Sequence, residues 1–206
     1  MAVSTVEKKE KKQVLKPRKP ESFRYKFKVK DLEKMYEAGI FKPDEKVELI
    51  NGEVIKLSPI GLKHALVVDN LVEIFSELLQ LQKELKEKYS LRVQNPIYIS
   101  PENLPEPDIA LVDKEFRKEK QHPKPKYIEL LIEVADTTLE KDRYIKIPLY
   151  AKKKIKQVWI VDLNSNQIEV YTNPYKKEYL NIEIYPLDKK IKVFGKEINV
   201  KDILNV

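Results

Sequence analysis

Two acidic residues stand in stretches that are otherwise apolar: Asp108 in Pro107-Asp108-Ile109-Ala110-Leu111-Val112, and Glu133 in Leu130-Leu131-Ile132-Glu133-Val134-Ala135. A carboxylate in such surroundings is costly unless a positive charge or hydrogen-bond donors answer it. Strand alternation puts Ile132 and Val134 on one face and Leu131, Glu133 and Ala135 on the other, so Glu133 occupies an apolar face. Asp108 opens the preceding strand directly after a proline, where an adjacent strand can bring it within bridging distance of Glu133. Two carboxylates, a backbone carbonyl such as that of Val134, and waters make a hard oxygen site suited to Mg²⁺ or Mn²⁺. A cation held there lowers the pKa of a bound water and polarises a phosphoryl oxygen, and a nearby ammonium stabilises the developing charge. The chemistry indicated is metal-assisted hydrolysis of a phosphodiester.

Asp142, Lys146 and Tyr150 are spaced i, i+4, i+8 and line one face of a helix, which makes Lys146 the candidate ammonium. Lys141 and Lys152 to Lys154 read as solvated charge. Glu48, in an early strand, is either a third carboxylate of the site or a hairpin surface residue. His64 precedes a long helix, where it can cap the helix, order a water or act as a base. Asp136 is either a third acid near the metal or a helix cap, the cap being favoured, and Trp159 and Tyr150 read as core aromatics.

These residues need a scaffold. Lys30 to Ala38 reads as a short helix stopped by Gly39. Val47 to Ile50 and Glu53 to Leu57 flank Asn51-Gly52, a hairpin signal. Apolar residues from Leu66 to Leu85 recur at helical spacing, so one long helix is expected from Lys63 to about Lys88. Strands are expected over Leu91 to Ile99, Asp108 to Val112 and Tyr127 to Val134, then a helix from Thr138 to Lys154 bent by Pro148, and a strand from Gln157 to Asp162. Gln167 to Tyr171, Tyr179 to Tyr185 and Ile191 to Val193 read as antiparallel strands, and Val200 to Leu204 as a helical turn. This order predicts an α/β or α+β fold, helices packed on a mixed sheet.

The chain has 206 residues and no cysteine, which excludes disulfides, thiolate nucleophiles and zinc-thiolate sites. No apolar run is long enough to span a bilayer and no signal-peptide core is evident, so a cytoplasmic protein without a membrane partner is expected. The net charge of +7 is uneven. Residues 1–30 hold 11 basic and 3 acidic side chains, leaving 29 basic and 30 acidic in the remainder. Residues 1–22 are expected to form a disordered basic tail and residues 23–206 one domain.

The run Val47-Glu48-Leu49-Ile50-Asn51-Gly52-Glu53, with Ser58-Pro59, His64, Pro107-Asp108, Ile132-Glu133-Val134, Asp142, Lys146, Tyr150 and Val158-Trp159-Ile160-Val161-Asp162, resembles the Uma-type restriction-endonuclease family over about residues 25–175. That family belongs to the PD-(D/E)XK nuclease superfamily, so the resemblance implies an αβββαβ restriction-endonuclease-like core and Mg²⁺-dependent cleavage of nucleic acid. It also implies Asp108 and Glu133 as metal ligands. The superfamily's strand lysine is replaced by Ala135, and the resemblance places the lysine's role on Lys146 of the following helix. The expected function is endonucleolytic hydrolysis of DNA, with a homodimer as a natural way to cut both strands. The alternatives are a silent nuclease-fold module and hydrolysis of another phosphorylated molecule.

Overall fold

The computed structural model describes residues 24–206, and the expected basic tail lies outside the described residues. Helix α1 (Val29–Glu37) leads to the hairpin β1 (Val47–Ile50) and β2 (Glu53–Lys56). Asn51 and Gly52 take φ of 51° and 74°, the left-handed pair that a two-residue hairpin turn demands. Helices α2 (Leu62–Leu81) and α3 (Lys83–Lys88) replace the single helix expected to Lys88. Gln82 between them is extended, which redirects the chain into the next strand while Leu85 still packs on the core.

A six-stranded sheet follows the order β3 (Tyr89–Val93), β4 (Ile109–Asp113), β5 (Ile128–Ala135), β6 (Gln157–Asp162), β7 (Gln167–Tyr175) and β8 (Glu178–Pro186). Its neighbours are antiparallel except β5 and β6. A parallel pair requires a crossover, here the helical run of α4 (Leu139–Lys141), a π-helical turn (Asp142–Lys146) and α5 (Ile147–Lys152). The strand expected over Leu91 to Ile99 ends early, because Gln94 turns to φ 47° and gives its N–H to the Asp108 carbonyl. A second small hairpin, β9 (Lys190–Val193) and β10 (Lys196–Asn199), precedes α6 (Val200–Leu204); β10 was not expected from the sequence.

The alternation along β5 divides two cores. Leu130, Ile132 and Val134 pack with Leu71, Phe75 and Trp159 on the α2 side, while Leu131 and Ala135 pack with Ile147, Tyr150 and Ala151 on the α5 side. A satellite cluster joins α1 to β1 through Val29, Leu32, Leu49 and Leu104. Where a bend was expected at Pro148, the helix widens instead: the Ile147 N–H bonds to the Asp142 carbonyl, five residues back. Pro148 has no N–H to offer the carbonyl of Tyr144, and a π turn accommodates the missing rung without breaking the helix. Among the described residues no helix is long and apolar enough to cross a membrane.

Candidate active site

Glu133 leaves β5 on the face that α5 covers, and donors meet both its oxygens. Lys146 Nζ donates to Oε2 at 2.9 Å, and the Tyr150 hydroxyl donates to Oε1 at 2.6 Å. Lys146 also lies 3.4 Å from Glu48 Oε2 and 3.7 Å from Asp142 Oδ1. Glu48 arrives from β1, fully buried, and its other oxygen accepts from Lys141 Nζ at 2.7 Å. The Thr138 hydroxyl donates to Asp142 Oδ2 at 2.8 Å. Residues from β1, β5 and the crossover helix thus form one buried ionic cluster.

Its charges do not balance. Among the described residues, Glu48, Glu133 and Asp142 when fully ionised face only Lys141 and Lys146, which leaves one negative charge in excess in largely buried surroundings. Burial pushes Glu133 up to about 8 despite the pull of Lys146, and burial likewise raises Asp142. Burial also acts to raise Glu48, but Lys146 and Lys141 outweigh it and hold that carboxyl below its ordinary value. For Lys146, burial opposes the charge and the three acids overcome it, so its pKa rises. Lys146 stays charged, because three carboxylates surround it. The excess is therefore relieved on the acids, by a proton or by a cation. Burial raises the Tyr150 hydroxyl well above its ordinary value, so it remains a donor.

Asp108 lies beside this cluster, since the register Ile109↔Ile132 puts it opposite Glu133. Its Oδ2 accepts the Val134 N–H at 2.8 Å and lies 3.2 Å from His64 Nε2, while Gln94 Nε2 is 3.4 Å from Oδ1. Burial lowers the His64 pKa, but Asp108 reverses the sign and the net shift is upward. Asp108, Glu133, Asp142, Lys141 and Lys146 all open on one cavity of about 1050 Å³ beneath the β1–β2 hairpin.

A family model described as "Uma2: Putative restriction endonuclease" matches residues 29–200. The chain belongs to the Uma2 family. No curated protein matches it. A crystal structure of a "putative nuclease belonging to DUF820" from Anabaena variabilis ATCC 29413 superposes with a TM-score of 0.66 at 14% identity, covering 87% of this chain and 98% of that one. At that identity the likeness shows a shared fold. The mixed sheet flanked by helices is that fold in this Uma2 chain.

Of the residues singled out in the sequence, Glu48, Glu133, Asp142, Lys146 and Tyr150 meet directly, and Asp108 and His64 line the same cavity. Lys141 is a correction: it is not solvated charge but the partner of Glu48. An α-helix turns 100° per residue and sets positions 141 and 146 well apart, whereas the π turn brings them onto one face. Asp136 is also corrected. Thr138 is the N-cap of α4, and Asp136 stands exposed at the cavity rim. His64 caps nothing, since Gly61 holds the N-cap of α2. Val134 meets Asp108 through its N–H, while its carbonyl lies near His64 and favours the charged ring. Gln94 and Arg143 were missed. Arg143 of the π turn pairs with Glu169 of β7 and, at 3.4 Å, with Asp162 of β6, tying the turn to the sheet.

The donor chemistry fits a hard divalent cation, for Asp108 and Glu133 offer carboxylate oxygens to one cavity beside an uncompensated negative charge. Among the described residues no three acidic or histidine side chains are grouped to hold a metal as they stand. Glu133 uses both oxygens on Lys146 and Tyr150, so ligation requires it to share one of them.

Proposed function

We propose that this protein is a metal-dependent endonuclease acting on DNA, with Asp108 and Glu133 as ligands of Mg²⁺ or Mn²⁺ and Lys146 as the ammonium beside the scissile phosphate. The observation that carries the reading is Lys146, buried among Glu133, Glu48 and Asp142 yet lining the cavity that Asp108 enters. Membership of the Uma2 family and the nuclease-like fold support the reaction class. When bound, the cation supplies Lewis acidity toward a phosphoryl oxygen and acidifies a water.

The chain's own residues do the positioning. Tyr150 orients the Glu133 carboxylate, and His64 with the Val134 N–H fixes that of Asp108. Lys141 anchors Glu48, whose other oxygen helps hold Lys146. Lys146 keeps its proton and presents a fixed positive charge to the phosphate. Glu48 acts here as a positioning residue. Ala135, buried where the superfamily has a lysine, taken alone favours a silent nuclease-fold module; Lys146 reaching Glu133 from the helix answers it.

The test is cleavage of supercoiled plasmid and labelled single-stranded DNA with Mg²⁺ or Mn²⁺. Asp108→Ala and Lys146→Ala should each lose at least about 100-fold in rate. Loss in Asp108→Ala alone would keep the metal ligand and remove Lys146 from its role. Wild-type protein inert across metals, temperatures and substrates would favour the silent module.

A further inference from the structure

We propose that a second cavity, at the β3 edge of the sheet, is a phosphate-binding site built around Arg92. The cavity encloses about 770 Å³ and shares no lining residue with the candidate active site. Its walls include Arg92 of β3, Phe116 and Arg117 of the 3-10 segment Lys114–Glu119, Lys120 just after it, and Lys28 and Lys30 at the start of α1. Among the described residues, Glu33 is the one acid on its margin.

Among the described residues none of these five cations has a carboxylate within ion-pair distance. That is a departure from the local pattern, since Lys124 and Lys126, a few residues on, both pair with Glu119. Arg92 is the centre of the case. Its Nε is buried with no hydrogen-bond partner, and its guanidinium carbon lies 5.4 Å from the centre of the Phe116 ring. The ring packs on the guanidinium while Nε stays unpaired. Burial first, and then the neighbouring Arg117 charge, push the Arg92 pKa down. A guanidinium fork matches phosphate oxygens in pairs, and several converging cations suit a phosphate better than a lone carboxylate.

The site has a defined place relative to Glu133. Arg92 pairs with Ala110, and Ala110 with Leu131, two residues before Glu133. Both side chains therefore leave the same face of the sheet. Two strand spacings across and two residues along separate them by roughly 12 Å. The phosphate can belong to a nucleic-acid strand or be a free ion. Phosphate binding itself stands apart from the nuclease reading; the strand as its source rests on that reading.

The test is binding in EDTA, where cleavage cannot intervene: calorimetric titration with inorganic phosphate, and fluorescence anisotropy of a short labelled oligonucleotide across a salt series. Arg117→Ala with Lys120→Ala is the informative variant, because both side chains are exposed and the fold should survive. Lys152→Ala with Lys153→Ala removes equal charge elsewhere as control. We expect the first pair to weaken binding at least tenfold, the control to have little effect, and the log–log salt slope for oligonucleotide to shrink by about one to two. Loss of inorganic phosphate binding with oligonucleotide binding intact would assign the site to the free ion; loss of oligonucleotide binding would assign it to a strand. Equal behaviour of the two variants, or no binding of either probe by wild type, would overturn the proposal. Altered binding in a protein that cleaves nothing would leave the phosphate site standing and remove the nuclease reading.

Discussion

Lys146 carries three carboxylates on one ammonium, and that arithmetic governs what single substitutions do. Lys146→Ala leaves Glu133, Glu48 and Asp142 buried beside a single remaining lysine, which should cost about 3–5 kcal/mol by chemical denaturation in addition to activity. A loss under about 1 kcal/mol would mean that water already reaches the cluster. Glu133→Gln does the opposite: its amide oxygen can still accept from Lys146, its NH2 can donate to a turned Tyr150 hydroxyl, and the excess charge is removed. The pH dependence follows with a definite sign. Glu133 is raised from 4.5 to about 8 in the folded protein, so the native state binds its proton more tightly than the unfolded chain. Its contribution to stability is then fully present below about 4.5 and lost as pH rises through about 8. In EDTA, Glu133→Gln should match wild type near pH 5 and become progressively the more stable of the two between pH 5 and 8. Thermal unfolding of both proteins across that range measures it, and parallel curves would show that Glu133 titrates normally. Added Mg²⁺ should stabilise wild type more at pH 8 than at pH 6, because the cation and the proton compete for the same carboxylate.

Elements decide which of these contacts form. The β5 alternation, the Asn-Gly hairpin and the acidic pair were legible because each depends on a local rule, strand period two or a turn with positive φ. Lys146 was legible because i, i+4, i+8 spacing survives a small change of helical register. Lys141 was not, since its contact exists only through the i to i+5 geometry of the π turn, and Pro148 reads in sequence as a bend. Arg143 was equally hidden, as its partners Glu169 and Asp162 lie on strands that no helical spacing can connect. The basic cavity was hidden for the same reason: Arg92, Arg117 and Lys28 converge only after three elements pack. Pro148→Ala tests the turn. An alanine can donate to the Tyr144 carbonyl, which lets the helix revert toward α geometry and rotates Lys141 away from Glu48. Cleavage should fall about tenfold with the unfolding temperature unchanged or raised. Undiminished cleavage would show that the turn does not seat the two lysines.

At the scale of the whole chain, the positive charge is uneven along the sequence. Residues 1–30 hold 11 of the 40 basic side chains against 3 acids, while the remainder carries 29 basic and 30 acidic residues. A near-neutral body cannot supply much long-range attraction to a polyanion, so affinity must come from the terminal segment or from local concentrations such as the β3-edge cavity. The two sources separate experimentally because they act differently on binding and chemistry. Deleting residues 1–22 removes 7 basic and 3 acidic side chains and leaves every candidate catalytic residue in the chain. Oligonucleotide affinity in EDTA should fall and the log–log salt slope should drop by about three or more, since each phosphate contact contributes about 0.7 to 0.9 to it. The cleavage rate at saturating DNA should stay within about twofold, because tail contacts of this kind bind substrate and transition state alike. A salt slope unchanged by the deletion would place the polyanion contacts on the folded body and make the Arg92 cavity their first candidate. A collapse of the saturated rate would instead put part of the terminal segment in the reaction itself.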